Sequence, residues 1–120
     1  YKDFRHPTKI KFVKKLKQDV KRRDFTINGL YLDENYKVID YVHGIDDLNG
    51  KVIRTIGNAK KRIKEDPLRI LRALRFALIY KFDLDEDLID AICKYKTLLT
   101  KLSKDKIKQE IKKIIDSLGD

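Results

Sequence analysis

The 120-residue chain contains no methionine and no tryptophan, one cysteine and two prolines. A natural chain starts with methionine, so its absence leads us to expect an internal piece of a longer protein, with Tyr1 inside it. The lone Cys93 excludes an internal disulfide and fits a cytoplasmic location; in "LIDAICKY" it reads as a small core residue. There is no apolar run of the roughly 18 residues that would signal a membrane-spanning helix, and no secretory signal is visible in the first residues given. Pro-rich linkers, internal repeats and low-complexity tracts are also missing.

Positive charge is abundant. Lys and Arg total 29 against 19 Asp and Glu, a formal net charge of +10. The excess is 14 to 8 over residues 1–60 and 15 to 11 over 61–120, so it runs through both halves. A basic folded surface of this kind favours polyanions, nucleic acid first among them.

The apolar pattern predicts an α+β fold. "KIKFV" alternates and predicts a strand, and a helix is expected over about Lys14–Leu30, with Leu16, Val20, Ile27 and Tyr31 as its apolar stripe. A strand or turn follows in "LYLDENYKVIDYV", then turn signals at Gly44, "NG" and Gly57 around a short strand "KVIRTI". From about Asn58 the period becomes helical, in "DPLRILRALRFALIY", "DEDLIDAICKYKTLL" and "SKDKIKQEIKKIIDSL". Asp66 before Pro67 and Ser103 before Asp105 are N-terminal helix signals, and "SLG" closes the last helix.

Four constellations could carry chemistry. In "KRRDFTINGL", Asp24 falls on the apolar stripe, flanked by Arg22 and Arg23, with Asn28 one turn on. Arginine forks suit phosphate oxygens and a carboxylate accepts ribose hydroxyls, so the set is either half a nucleotide site or a structural network tying helix to sheet. In "EDPLRILRALRF", Arg69, Arg72 and Arg75 share one drifting face near a helix start, an anion-binding surface. Asp66 and Arg69, at i and i+3, could present an acceptor beside donors and so match the pairing edges of adenine and cytosine; an ordinary cap with a surface ion pair is the alternative. "DYVHGIDDL" reads as a turn with capping aspartates, because Asp40, His43, Asp46 and Asp47 match no metal-ligand spacing. The lysines of the last helix could follow an RNA backbone or be a solvated face; without interleaved aromatics they do not indicate base stacking.

The blocks "RRDFTINGL", "DYVHGIDDL", "KVIRTIG" and "EDPLRILRALRFA", in this order, resemble the successive signatures of class II tRNA nucleotidyltransferases. That family includes the CCA-adding enzymes, their A-adding and CC-adding relatives and the bacterial poly(A) polymerases. The resemblance runs from about Asp3 to Glu110. Gly29 replaces the usual alanine, and Asp105 and Lys106 stand where the family usually has Glu and Arg.

The resemblance implies the last part of a nucleotidyltransferase head over residues 1–57, a short mixed sheet with helices, and an all-α neck over 58–120. It implies that Arg22, Arg23, Asp24 and Asn28 meet the incoming nucleotide, with Asp24 at the ribose. Asp66 and Arg69 would read the base, and Arg72 and Arg75 hold the site or the phosphates. The segment Asp40–Leu48 would link the two halves. ATP and CTP would be the substrates, with Mg²⁺ as the metal and the 3′ end of tRNA as partner.

The family's Gly-Ser and Asp-x-Asp metal signature has no counterpart at the matching place. "DLDED" at 83–87 follows the arginine block and opens a helix. We therefore expect no catalytic or metal-binding residue within these 120, and a chain that binds parts of its substrates without turning them over. The function expected of the parent is CCA addition to tRNA. A-only or poly(A) addition within the same family is the first alternative, and a non-catalytic RNA-binding module is the second.

Overall fold

The computed structural model describes residues 6–118, with side chains from residue 10 onward. Helix α1 (His6–Val20) comes first, so "KIKFV" is helical and not a strand. Its alternation was ambiguous over so short a run. Val13, Leu16 and Val20, three and four residues apart, make the less exposed side.

The helix expected to continue to Leu30 stops at Val20. Arg22 and Arg23 donate their N–H groups to the Asp19 and Val20 carbonyls, closing a turn. Phe25 is fully buried and bridges Thr55, while Thr26 N–H donates to the Arg54 carbonyl and Ile56 N–H to that of Asp24. Burying Phe25 while pairing its backbone with 54–56 requires extended backbone. Tertiary pairing thus overrides local helical preference. A 3₁₀ turn over Thr26–Asn28 follows.

Strands β1 (Leu30–Leu32) and β2 (Val38–Asp40) form an antiparallel hairpin, Tyr31 opposite Ile39. In its turn the Asp33 carboxylate accepts from the N–H groups of Asn35 and Lys37, and Tyr36 takes a left-handed φ of 62°. Helix α2 (Gly44–Gly50) is capped by Asp40, whose carboxylate accepts from Val42, Gly44 and Ile45 N–H groups. The capping role expected in this segment holds for Asp40. Asp47 goes further: buried, it accepts from the Thr26 hydroxyl at 2.6 Å and from Arg54 at 3.1 Å.

Strand β3 (Val52–Ile53) leads to α3 (Ala59–Glu65), capped by Asn58, and to α4 (Leu68–Tyr80). Asp66 Oδ1 accepts from Leu68 N–H, and Pro67 sits at a helical φ of −62°, as the motif predicts. Strand β4 (Asp83–Leu84) returns parallel to β3, and α5 (Glu86–Tyr95), a 3₁₀ turn (Lys96–Lys101) and α6 (Lys104–Leu118) complete the fold. Ser103 caps α6 through the Lys106 N–H. Gly119 lies outside the described residues.

The α+β class is as expected. The core is one cluster of Phe25, Ile53, Ala59, Ile63, Ile70, Ala73, Leu88 and Ala91, drawn from both halves of the sequence. Each large side chain in it contributes roughly 1.5–3 kcal/mol. Cys93 is exposed, not part of that core, because α5 turns Leu88 and Ala91 inward instead.

Candidate functional site

The turn after α1 and the first three turns of α4 face each other across an open cleft of about 430 Å³. Arg22, Arg23, Asp24, Asn28, Arg72, Arg75 and Phe76 line it. Six of the residues singled out from the sequence are thus gathered at one place, although they come from segments some 45 residues apart.

Asp24 is the centre of the arrangement. Its Oδ1 accepts from Arg69 Nε and its Oδ2 from Arg72 Nη1, both at 2.8 Å. The three side chains are only 19%, 11% and 26% exposed, so the charges attract in a partly dehydrated setting. Burial alone would lower the Arg72 pKa; the bond to Asp24 and the charges of Asp24, Asp66 and Glu110 outweigh it and raise the value.

Asp66 and Arg69, expected side by side, turn to different partners. Asp66 Oδ2 accepts from Arg72 at 3.2 Å, while Arg69 spends Nε on Asp24 and Nη1 on the Arg62 carbonyl. Neither lines the cleft. The i,i+3 spacing put them on one helix face, but Asp66 precedes α4 with an extended φ of −150°, and the Asp24 carboxylate draws Arg69 away.

Arg23 and Arg75 are also steadied. Arg23 donates to Asp19 and lies over the Tyr31 ring at 5.2 Å, while the Tyr31 hydroxyl donates to the same carboxylate at 2.7 Å. The hydrogen bond from Tyr31, then that from Arg23, holds the Asp19 carboxyl below its ordinary value. Arg75 pairs at 3.0 Å with buried Glu110 of α6 and lies over the Phe76 ring. Arg22 is exposed at the cleft's edge. Asn28 ends the 3₁₀ turn on the same wall.

Tyr31, Asp19, Glu110, Phe76 and Arg62 escaped sequence reasoning as site elements. Tyr31, Glu110 and Arg62 act through partners well separated in the chain, which spacing does not reveal. Asp19 and Phe76 carried local signals, Asp19 one helical turn before Arg23 and Phe76 next to Arg75 in the arginine block.

Chemically, the cleft offers guanidinium forks to an anion, a carboxylate to hydroxyls and an aromatic edge to a flat ring. It does not offer a metal site. Among the described residues no three His, Cys, Asp or Glu side chains gather to hold an ion, and both Asp24 and Asp66 are taken by arginines. Mg²⁺ does not fit the residues described.

A family model described as the poly A polymerase head domain matches residues 1–54. The CCA-adding enzymes of Streptococcus sanguinis and Enterococcus faecalis are 46% and 45% identical over 115 residues, 96% of this chain. The chain spans 29% and 28% of those relatives, under a third of their length. The chain thus corresponds to a segment of these relatives, and it belongs to the family of tRNA nucleotidyltransferases and poly(A) polymerases.

Solved structures in that family match closely. The Bacillus stearothermophilus CCA-adding enzyme in complex with CTP superposes with a TM-score of 0.80 at 39% identity, over 82% of this chain and 25% of that one. A tRNA nucleotidyltransferase complexed with a primer tRNA and an incoming ATP analog gives 0.74 at 38% identity, over 81% and 30%.

Proposed function

We propose that the parent protein is an RNA nucleotidyltransferase that works without a nucleic-acid template, adding CMP and AMP to the 3′ end of tRNA. In this reading residues 1–57 belong to its head and 58–120 to its neck. The observation that carries it is Asp24, held at 2.8 Å by two arginines in a cleft edged by further arginines. The CTP- and ATP-analog-bound relatives support the same assignment.

Arg22, Arg23, Arg72 and Arg75 take the triphosphate of ATP or CTP, Asp24 accepts the ribose hydroxyls, and Asn28 supports that wall. The primer 3′-hydroxyl attacks the α-phosphorus; the new oxygen–phosphorus bond forms as pyrophosphate leaves. Base choice falls to Asp66 and Arg69. Arg69 has already committed Nε and Nη1, so its Nη2 is the donor a base edge meets, and Asp66, with one bond on each carboxylate oxygen, keeps lone pairs to act as acceptor. Adenine and cytosine satisfy that donor–acceptor order, whereas guanine and uracil leave it unpaired. The metal that the family implies would be held by residues outside the described ones. A tRNA-processing role fits a cytoplasmic setting, and among the described residues no helix is long and apolar enough to cross a membrane.

The experiment is to incubate the intact protein with tRNA lacking its terminal CCA and with labelled CTP, then ATP. Stepwise incorporation of both is expected. Because the family model carries the poly(A) polymerase description, a second reading is AMP-only addition. Label from ATP without any from CTP would favour it over CCA addition. RNA binding without incorporation of either label would refute both.

A further inference from the structure

We propose that Arg62, outside the cleft, is a positioning residue that orients Asp24 and Arg69 from behind. The inference rests on the nucleotide reading of the cleft. Arg62 lies in the last turn of α3 with its side chain 13% exposed, and it is not among the cleft-lining residues. Its Nη2 donates to the Arg23 carbonyl, the peptide that enters Asp24. The following carbonyl, that of Asp24, accepts from Ile56 N–H at 3.1 Å.

Peptide units are rigid planes, so fixing the two that flank Asp24 restricts its two backbone dihedrals and sets the Cα–Cβ direction from which its carboxylate reaches the arginines. Arg62 also acts on the partner. Its own carbonyl accepts from Arg69 Nη1 at 2.8 Å. One residue therefore supplies the donor that aims the carboxylate and the acceptor that aims the guanidinium. The 2.8 Å bond between Asp24 and Arg69 is the result.

A packing role alone does not account for arginine here. Its Nε is buried without a partner among the described residues, a desolvation cost that an apolar side chain of similar length would avoid. Its contact with Glu65 is long, at 3.4 Å, and that carboxylate is 46% exposed. The grip on the Arg23 carbonyl is what the guanidinium adds.

The test is nucleotide affinity, measured by isothermal titration of ATP and CTP into the intact protein. Arg62→Met should weaken both by about tenfold, and by less than about threefold further in an Asp24→Asn background, where the carboxylate it aims is gone. Affinity for tRNA should stay within about twofold. Arg62→Lys, which keeps a donor for the carbonyl, should recover most of the loss. Unchanged nucleotide affinity in Arg62→Met overturns the inference. So does an equal loss with or without the Asp24 carboxylate, the mark of a merely structural residue. Should Arg62→Met fail to fold, Arg62→Leu, which likewise has no donor, carries the same coupling test under the same criteria. If Asp24→Asn by itself leaves nucleotide affinity unchanged, the nucleotide reading falls and the inference with it, an outcome distinct from equal losses.

Discussion

Gly44 opens α2 where that helix meets the 3₁₀ turn over Thr26–Asn28, and alanine cannot be fitted there. A Cβ would lie 2.2 Å from the Thr26 carbonyl oxygen and 3.0 Å from a Leu30 methyl. The Leu30 side chain can turn, but the carbonyl cannot, since it is backbone and already accepts from Gly29 N–H. Helix α2 must then move off by about an ångström. That displacement strains the buried 2.6 Å bond from Thr26 to Asp47 and the cap bond from Gly44 to Asp40. Overpacking costs about 1–3 kcal/mol, and a weakened hydrogen bond to a buried carboxylate about 1.5–3 kcal/mol. The sum, about 2.5–6 kcal/mol, is a large share of the roughly 5–15 kcal/mol of a typical domain. At several degrees per kcal/mol it should lower Tm by about 10 °C or more. The assay is thermal unfolding of the intact protein followed by far-ultraviolet circular dichroism. Gly50→Ala is the control: its Cβ meets only Val52 at 3.8 Å, so its Tm should stay within about 2 °C of the parent or rise slightly. A Gly44→Ala variant melting within about 3 °C of the parent, or no lower than Gly50→Ala, would refute the reasoning.

Glu110→Gln leaves Arg75, 16% exposed, facing a neutral acceptor between α4 and α6; we expect a loss of about 1–2 kcal/mol in urea unfolding, and an unchanged midpoint would contradict it. The exposed Lys113 contact to the same carboxylate should add little. Burial pushes the Asp40 carboxyl up, but N–H groups of Ile45, Gly44 and Val42 outweigh it and hold it below its ordinary 3.8. The folded state therefore keeps Asp40 ionised longer than the unfolded one, and its contribution is whole above that value and fades as pH falls below it. Asp40→Asn should cost about 1 kcal/mol at neutral pH, with the gap to the parent narrowing in acid; a gap independent of pH speaks against the cap. Exposed Cys93 should react with a thiol reagent at the rate of a free thiol while helical content is intact, and slow labelling that tracks unfolding would place it inside.

The helical second half was legible because its signals were local and repeated. Leucines at helical spacing, Asp66–Pro67 and Ser103 all predicted boundaries the structure shows. The first half was less so. Lys9–Val13 alternates yet is helical, and Phe25 lies within the expected helix yet is extended. Both follow from partners that a short window cannot contain, above all the pairing of Phe25 with Thr55. The candidate site divides in the same way. Residue types and blocks pointed to the arginines and Asp24, but who pairs with whom depended on three dimensions: Asp24 takes Arg69 and Arg72, and Asp66 takes Arg72. Cys93 was misread because an apolar neighbourhood in sequence does not say which side of α5 a residue occupies.

The short parallel pair of β3 and β4 has a consequence for how the chain is made. Val52 and Ile53 find their partners only in Asp83 and Leu84, about thirty residues later, with α3 and α4 in between. On a ribosome, the extended edge at 52–53 stays open until that stretch has emerged. Phe25 and Ile53 are likewise without the Leu88 and Ala91 that join them in the core. The parallel pair and the core around it can therefore close only once α3, α4 and the start of α5 have been made, the long-range pairing that slows folding most.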